Sequence, residues 1–551
     1  MFGSTCTLKT KLKHNSNQKV RREMNILDLF SKTVDDVITG AAARNMLVDN
    51  PSESELRQLV ARQPGVKQTR YGSFVVESGP SSRAAMFTKN SVDSHFGDDE
   101  ERLLAEAIGV LSKERIISLD RVVGDGSTGT TVRLVVPERF AHIALGGNLF
   151  LPPAVSVKSP TYNILFFADN AFEENRAKPL PRKDITIRLA MLPGGKFVKV
   201  VRNSNYIGEY KKGVFAAENW ATKTIRGGIF LHAGCREDRL QNVHGDFVLS
   251  RTLLVALSAN GKTTTTCRIL ARKGMEESWM VQDDGGSLMP DGSFHGFEGG
   301  GIFVKTERVN PGEQTEIFYG LLRPETVHEN VWVSEQGCLD FDNVEITSNG
   351  RAVVRREHLM HASPHIGVER IDNLILITRG PLIPAISKLT LEQATALMIL
   401  GQAMESSAGD PTKAGQIRSE FFYDPFVIGS RIEHANIFYR ILKGLPYKIN
   451  CYLLNTGWIG EGEHYRNITL QDTMGILDSL LRGGLEDWTT SPTGLLVPKA
   501  VRTVDSTCFH PEKHYSVAEF MEKQKALNAV RRGAIEKFQG QLDFSAEELF
   551  Q

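Results

Sequence analysis

Apolar residues recur along this chain with two spacings that replace one another from end to end. In residues 24–220, helical spacing over Glu53–Arg62 and Asp99–Leu111 gives way to strand patterns over Thr131–Val136, Tyr162–Phe167 and Ile185–Leu192. An earlier helix is predicted to begin near Met24-Asn25-Ile26-Leu27. Between 221 and 525, short apolar runs bounded by loops follow at Gly228–His232, Leu253–Leu257, Trp279–Val281, Asn373–Thr378 and Ile449–Leu454. Uninterrupted runs suit strands buried on both faces, whereas alternation suits half-buried ones. Strands interleaved with helices and loops predict an α/β chain. From Ser516 to Gln551 the pattern predicts a charged surface helix.

Length and composition refine this picture. At 551 residues the chain exceeds what one hydrophobic core supports, so two large domains are expected. The boundaries read as a disordered extension at 1–23, an α/β domain at 24–220, a second at 221–525 and a helical tail at 526–551. Residues 1–23 are basic, lack an acid before Glu23 and hold no apolar core segment, which excludes a secretory signal. Sixty-five basic and 65 acidic residues cancel, which argues against a dedicated nucleic-acid or membrane-surface binder. No apolar run approaches a membrane span. The six cysteines are scattered without a CxxC pair, as in a reducing cytosol. A cytoplasmic monomer acting on a small molecule is the expectation.

Candidate chemistry concentrates between Leu253 and Lys305. The run L-L-V-A-L-S-A-N-G-K-T-T-T-T is an apolar strand, a loop of small residues, then Gly261-Lys262-Thr263-Thr264 opening a helix. A second strand, Trp279-Met280-Val281, delivers Asp283-Asp284. This is the layout of a phosphate-binding loop (P-loop) followed by a metal-binding acid. Backbone N–H groups hold phosphate oxygens, Lys262 adds a point charge, and a threonine with an aspartate holds a divalent cation. Ala256 and Ala259 stand where glycine would turn most easily. The alternative is a solvated turn capped by threonines. Gly124–Gly129 matches GxGxxG, but the β-branched run after it predicts a strand, so a hairpin is expected there and no dinucleotide site. His358, His361 and His365 lie without a neighbouring cysteine and read as strand or loop.

Other segments join the constellation. Tyr206-Ile207-Gly208-Glu209-Tyr210-Lys211-Lys212-Gly213 precedes a strand ending at His232. Phe297-Glu298-Gly299-Gly300-Gly301 and Lys305-Thr306 follow the acidic pair, and Leu454-Asn455-Thr456-Gly457-Trp458 comes much later. In this order and spacing the motifs resemble the ATP-dependent phosphoenolpyruvate carboxykinase family, with its G-E-M-K-K-G, M-H-C-S-A-N, G-L-S-G-T-G-K-T, D-D-E-H-G-W, F-E-G-G-C-Y-A-K-T and N-T-G-W. Val132–Leu151 and Pro384–Thr390 also match family blocks, so the resemblance runs from about Phe74 to Leu481.

The resemblance implies a two-lobed carboxykinase fold with a P-loop-containing C-terminal domain and an active-site cleft between the lobes. It implies that ATP phosphorylates the enolate left when oxaloacetate loses CO₂, giving phosphoenolpyruvate for gluconeogenesis. Lys212, His232, Asp284 and Thr263 are the expected ligands of Mn²⁺ and Mg²⁺. Gly261, Lys262, Thr263, Thr264, Lys305 and Thr473 are expected on the nucleotide. Lys212, Tyr206, Ser258, Arg83 and Arg356 are expected on the reacting groups, with Arg355 beside Arg356 as a competitor. At the arginine of the family's R-I-S-I-K-D-T stands Asn467, with Arg466 one earlier. Two other readings stay open: a relative phosphorylating another small carboxylate, and a nucleotide-binding regulator without catalysis.

Overall fold

The structure is a computed structural model. It describes residues 26–78, 87–155, 157–175, 184–257, 260–272, 274–347, 349–404, 417–485, 487–546 and 549–550. The chain is mixed α/β and divides into two compact units. One comprises the residues up to Ala221 together with Val327–Arg351; the other comprises Thr222–Thr326 and Ala352–Gln551. The insertion of Val327–Arg351 into the first unit has no counterpart in a reading that ended that domain at 220. Short strands there pair with residues distant in sequence, and the one-dimensional pattern carries no such information.

The first unit is built on a seven-stranded sheet. Its order is Leu47–Asp49, Ile116–Val122, Thr131–Pro137, Tyr162–Phe167, Phe197–Arg202, Thr186–Met191 and Thr88–Asn90. Ile116–Val122 and Thr131–Pro137 are antiparallel over their length, so Gly124–Gly129 is the tip of a hairpin, as the β-branched run predicts. The helices at 26–43 and Asp98–Leu111 bury Phe30, Val34, Leu104 and Ala107 against Val135, Leu165 and Val200. Gly208–Thr224 is a helix buried nearly all round. A Cβ on Gly213 would lie 2.6 Å from Ile164 and 3.0 Å from Lys199, which brings this helix close to two sheet strands.

The second unit holds an eight-stranded sheet. Its order is Glu277–Gln282, Ala233–Gln241, Phe247–Val255, Asn373–Thr378, Asn450–Asn455, Ile386–Leu389, Leu496–Pro498 and Trp488–Thr490. The central three strands, Phe247–Val255, Asn373–Thr378 and Asn450–Asn455, are parallel. Their apolar runs are continuous because both faces are covered. Leu253, Val255, Leu374, Leu376 and Leu453 point into one core with the helices Leu391–Leu400 and Arg431–Gly444. Leu254, Ile375, Ile377 and Leu454 point into another with the helix Leu470–Leu481.

The C-terminal helix is shorter than the charge pattern predicts. It spans Val517–Glu536, after which the chain turns back through Gly540 (φ +71°). Ile535 and Phe550 join the core beside Leu391–Leu400, so apolar anchors dock this segment on its unit. The cysteines at 235, 267, 338, 451 and 508 are all free thiols.

Leu376, fully buried on the central strand, belongs to the core shared with the helices Leu391–Leu400 and Arg431–Gly444. Leu376→Ala should cost about 2–5 kcal/mol. A fall in the denaturant midpoint with an unchanged slope would show it.

Candidate active site

The second unit carries the Gly261-Lys262-Thr263 segment. The strand Phe247–Val255 runs into buried Ala256 and Leu257, and Asn260, also buried, precedes Gly261. Gly261 adopts φ +86°, a conformation that costs a glycine little, and caps the short helix Lys262–Cys267. Thr265 and Thr266 return their hydroxyls to the carbonyls of Gly261 and Lys262 at 2.7 and 2.9 Å, so they serve the helix. Thr263 behaves differently: its hydroxyl donates to Asp283 Oδ2 at 3.2 Å. Thr264, between them, is half-buried.

Lys262 and His232 meet on one carboxylate. The Lys262 ammonium pairs with Asp284 Oδ1, and His232 Nε2 lies 3.0 Å from the same oxygen. His232 Nδ1 is 3.0 Å from the carbonyl of Tyr423, which can only accept, so Nδ1 carries a proton. Burial first, and then the Lys262 charge, push the imidazole below its ordinary range, with Asp284 opposing. A neutral ring protonated at Nδ1 turns the Nε2 lone pair toward a carboxylate oxygen. Two such donors need a cation between or beside them; Lys262 supplies one, and a divalent ion with nitrogen and oxygen ligands fits the same pair. Among the described residues, no three His, Cys, Asp or Glu side chains converge on one point.

Several residues hold this cluster in place. Phe422 and Tyr423 have φ +56° and +54°, unusual for aromatic residues, and that kink presents the Tyr423 carbonyl to His232. Buried Glu298 accepts the Asp284 N–H at 3.1 Å and the amide of Gln282. Gly234 leaves room for the helix, since a Cβ there would sit 2.1 Å from Thr266 Oγ1. Arg236, paired bidentately with buried Asp238, donates to the carbonyls of Thr265 and Arg268 at 2.6 and 2.9 Å and caps the helix C-terminus.

In the first unit, Lys212 Nζ is 2.6 Å from Glu209 Oε1 and 5.1 Å above the Tyr206 ring. Lys199, more deeply buried, binds the other Glu209 oxygen at 2.8 Å. Burial alone would raise the Glu209 carboxyl, but the two lysines outweigh it and hold it at about 2. Burial would lower Lys212, yet Glu209 wins and raises it, so Lys212 is an ammonium here. It becomes a ligand only if a cation displaces its proton.

A family model described as phosphoenolpyruvate carboxykinase matches residues 46–507. The chain belongs to this family. A protein of Aeropyrum pernix named phosphoenolpyruvate carboxykinase (ATP) is 26% identical over 467 residues, covering 85% of this chain and 89% of the relative. Its namesake in Chelativorans sp. is 27% identical over 499 residues, covering 85% and 87%. That of Brucella melitensis biotype 1 is 24% identical over 529 residues, covering 91% and 93%.

The remaining site candidates of this carboxykinase-family chain are placed as follows. Arg83 and Ser258 lie outside the described residues. Arg356 is buried; its guanidinium donates to the Ser363 carbonyl at 2.7 Å and approaches that of His365 at 3.4 Å. Lys305 pairs with Glu307. Thr473 turns its hydroxyl back to the Thr469 carbonyl at 3.1 Å, within its own helix. Arg466 is engaged by Asp505 at 2.5 Å and by Thr507. Tyr423 is a contributor that motif matching did not single out, while Asp283 and Glu298 stood in the matched motifs without an assigned role.

Glu329 is a further such residue, a fully buried acid at the end of the strand Val327–Glu329, beside buried His328. It accepts the Ile207 N–H at 2.8 Å, directly beneath the turn that leads to Lys212. Burial pushes its carboxyl up to about 8, with that N–H pulling the other way. An acid whose native value exceeds its ordinary 4.5 holds its proton more tightly when folded. Its contribution to stability is therefore full below about 4.5 and is lost as pH rises through about 8. Glu329→Gln should flatten the slope of unfolding free energy against pH across that window. Urea titrations showing an unchanged slope would mean the native carboxylate is already charged.

Proposed function

We propose that this chain converts oxaloacetate and ATP to phosphoenolpyruvate, CO₂ and ADP. The observation that carries the reading is Lys262, His232 and the Asp283–Asp284 pair gathered beside the phosphate loop, in a chain matched to the family over 46–507. Loss of CO₂ leaves the bonding electrons of the broken C–C bond on the substrate as an enolate. The enolate oxygen then attacks the γ-phosphorus in line, and the bond to the ADP oxygen breaks. Lys262 supplies a fixed positive charge to the phosphate oxygens throughout. His232, Asp284 and Thr263 are the residues of this unit assigned to divalent cations, Mn²⁺ and Mg²⁺, whose chemistry when bound is to offset the charge of the transferring group.

In this reading the second unit is the nucleotide- and metal-binding domain of a two-lobed P-loop fold. The first is the substrate-side domain, where Lys212 and Tyr206, with Arg83, face the anionic carboxylate; Arg356 and Ser258 complete the set in the second unit. The described residues contain no helix long and apolar enough to cross a membrane. A cytoplasmic monomer is the setting this reading takes.

Formation of ATP from phosphoenolpyruvate, bicarbonate and ADP tests the reaction. Tight ATP binding without any turnover would overturn it and leave the regulatory alternative. His232→Ala and Asp284→Asn should each lower kcat by about a hundredfold or more while the melting temperature holds, because charge stabilisation is lost mainly in the transition state. Both should also weaken Mn²⁺ binding, read by the paramagnetic signal of the free ion; wild-type affinity in both would mean the cation site lies elsewhere. Lys262→Ala should raise the ATP dissociation constant as well, since that ammonium touches phosphate in the ground state too.

A further inference from the structure

The carboxyl ends of the three central parallel strands lie side by side, with Val255 beside Leu376 and Thr378 beside Asn455. Ligands of open α/β sheets gather at such ends. The first strand leads into the phosphate loop and the third into Thr456-Gly457-Trp458. The middle strand ends at Thr378 and continues directly into Arg379, which no motif in the sequence marks.

Arg379 is fastened at its stem. A Cβ on Gly457 would lie 2.9 Å from Arg379 Cβ and 3.1 Å from its Cγ, so the arginine is packed against the turn after Asn455. Its Nε reaches Thr456 Oγ1 at 3.5 Å, the outer limit of a hydrogen bond. Thr456 Oγ1 in turn donates to the Asn260 carbonyl at 2.9 Å, one residue before Gly261. The guanidinium therefore stands two links from the phosphate loop.

Arg133, Arg188 and Arg236 face carboxylates, those of Asp120, Glu100 and Asp238. Among the described residues Arg379 has no such partner. Burial pushes the guanidinium below its ordinary range, and only the Tyr465 phenol works against that. Next to it, the side-chain nitrogen of Asn260 is buried with no acceptor. The Asn260 amide and the Arg379 guanidinium stand on either side of the Thr456 link, beside a loop that already presents Lys262. A covered guanidinium without a counter-charge is costly unless an anion completes it.

We propose that Arg379 contacts the phosphate chain of the nucleotide, acting as a second cation for it beside Lys262. This rests on the nucleotide reading above and adds a residue to it. The fork of a guanidinium presents paired N–H groups to two oxygens of a phosphate, which a lysine cannot do.

Calorimetric titration of the full chain with ATP, ADP, adenosine and inorganic tripolyphosphate tests this. Arg379→Ala should bind ATP, ADP and tripolyphosphate about ten- to a hundredfold more weakly, as for loss of a charge-assisted hydrogen bond, with adenosine unchanged. Arg379→Lys keeps a stem and a charge and should fall between the two. ATP affinity within twofold of wild type in the alanine variant would overturn the contact, as would an equal loss for adenosine. Should the alanine variant fail to fold, wild-type ATP affinity in Arg379→Lys would overturn it instead. Wild-type protein that binds neither ATP nor tripolyphosphate would overturn the nucleotide reading itself, and this contact with it.

Discussion

One carboxylate oxygen of Asp284 receives both the Lys262 ammonium and the Nε2 edge of His232, and the arrangement of the second unit serves that meeting. Three covered polar groups at one point are tolerable only if charge and hydrogen bonding close among them. Closure demands that a loop, a strand end and a strand-to-loop junction arrive in register. The antiparallel pairing of Ala233–Gln241 with both Phe247–Val255 and Glu277–Gln282 sets the last two. The helix after the loop is seated by the absent side chain of Gly234 on one side. The Arg236–Asp238 pair grips its carbonyl end on the other.

Orientation of the imidazole depends on backbone strain elsewhere. Phe422 and Tyr423 occupy left-handed conformations that cost aromatic residues free energy, and the Phe422 ring is held by packing against His434 and Phe438. The stiffness of that aromatic cluster is what keeps the Tyr423 carbonyl on His232 Nδ1. A second-layer carbonyl of this kind selects the tautomer that leaves Nε2 as the basic nitrogen. In the first unit the same problem has an electrostatic solution: Lys199 neutralises one side of Glu209, and Glu209 then holds Lys212 with the other.

Much of the architecture was legible in the chain. The uninterrupted runs at Leu253–Leu257, Asn373–Thr378 and Ile449–Leu454 mark the central parallel strands, because side chains buried on both faces are apolar at every position. Gly261-Lys262-Thr263 and Asp283-Asp284 were legible as candidates because phosphate and metal chemistry restrict which residue types can serve. The C-terminal helix was overextended, since charge spacing alone does not show that Ile535 and Phe550 anchor the segment to a core.

By itself, the sequence determined the α/β class, the family and the identities of the loop lysine, the histidine and the acidic pair, all of which are local in pattern or type. Tertiary structure alone decided that Val327–Arg351 belongs with the first unit, that Thr263 is turned to Asp283 while Lys262 and His232 share Asp284, and that Arg379 stands beside Thr456. The physical reason is the same in each case. Strand register and backbone kinks bring together groups tens to hundreds of residues apart, and what a charged side chain does depends on which counter-charge that folding places within hydrogen-bonding distance.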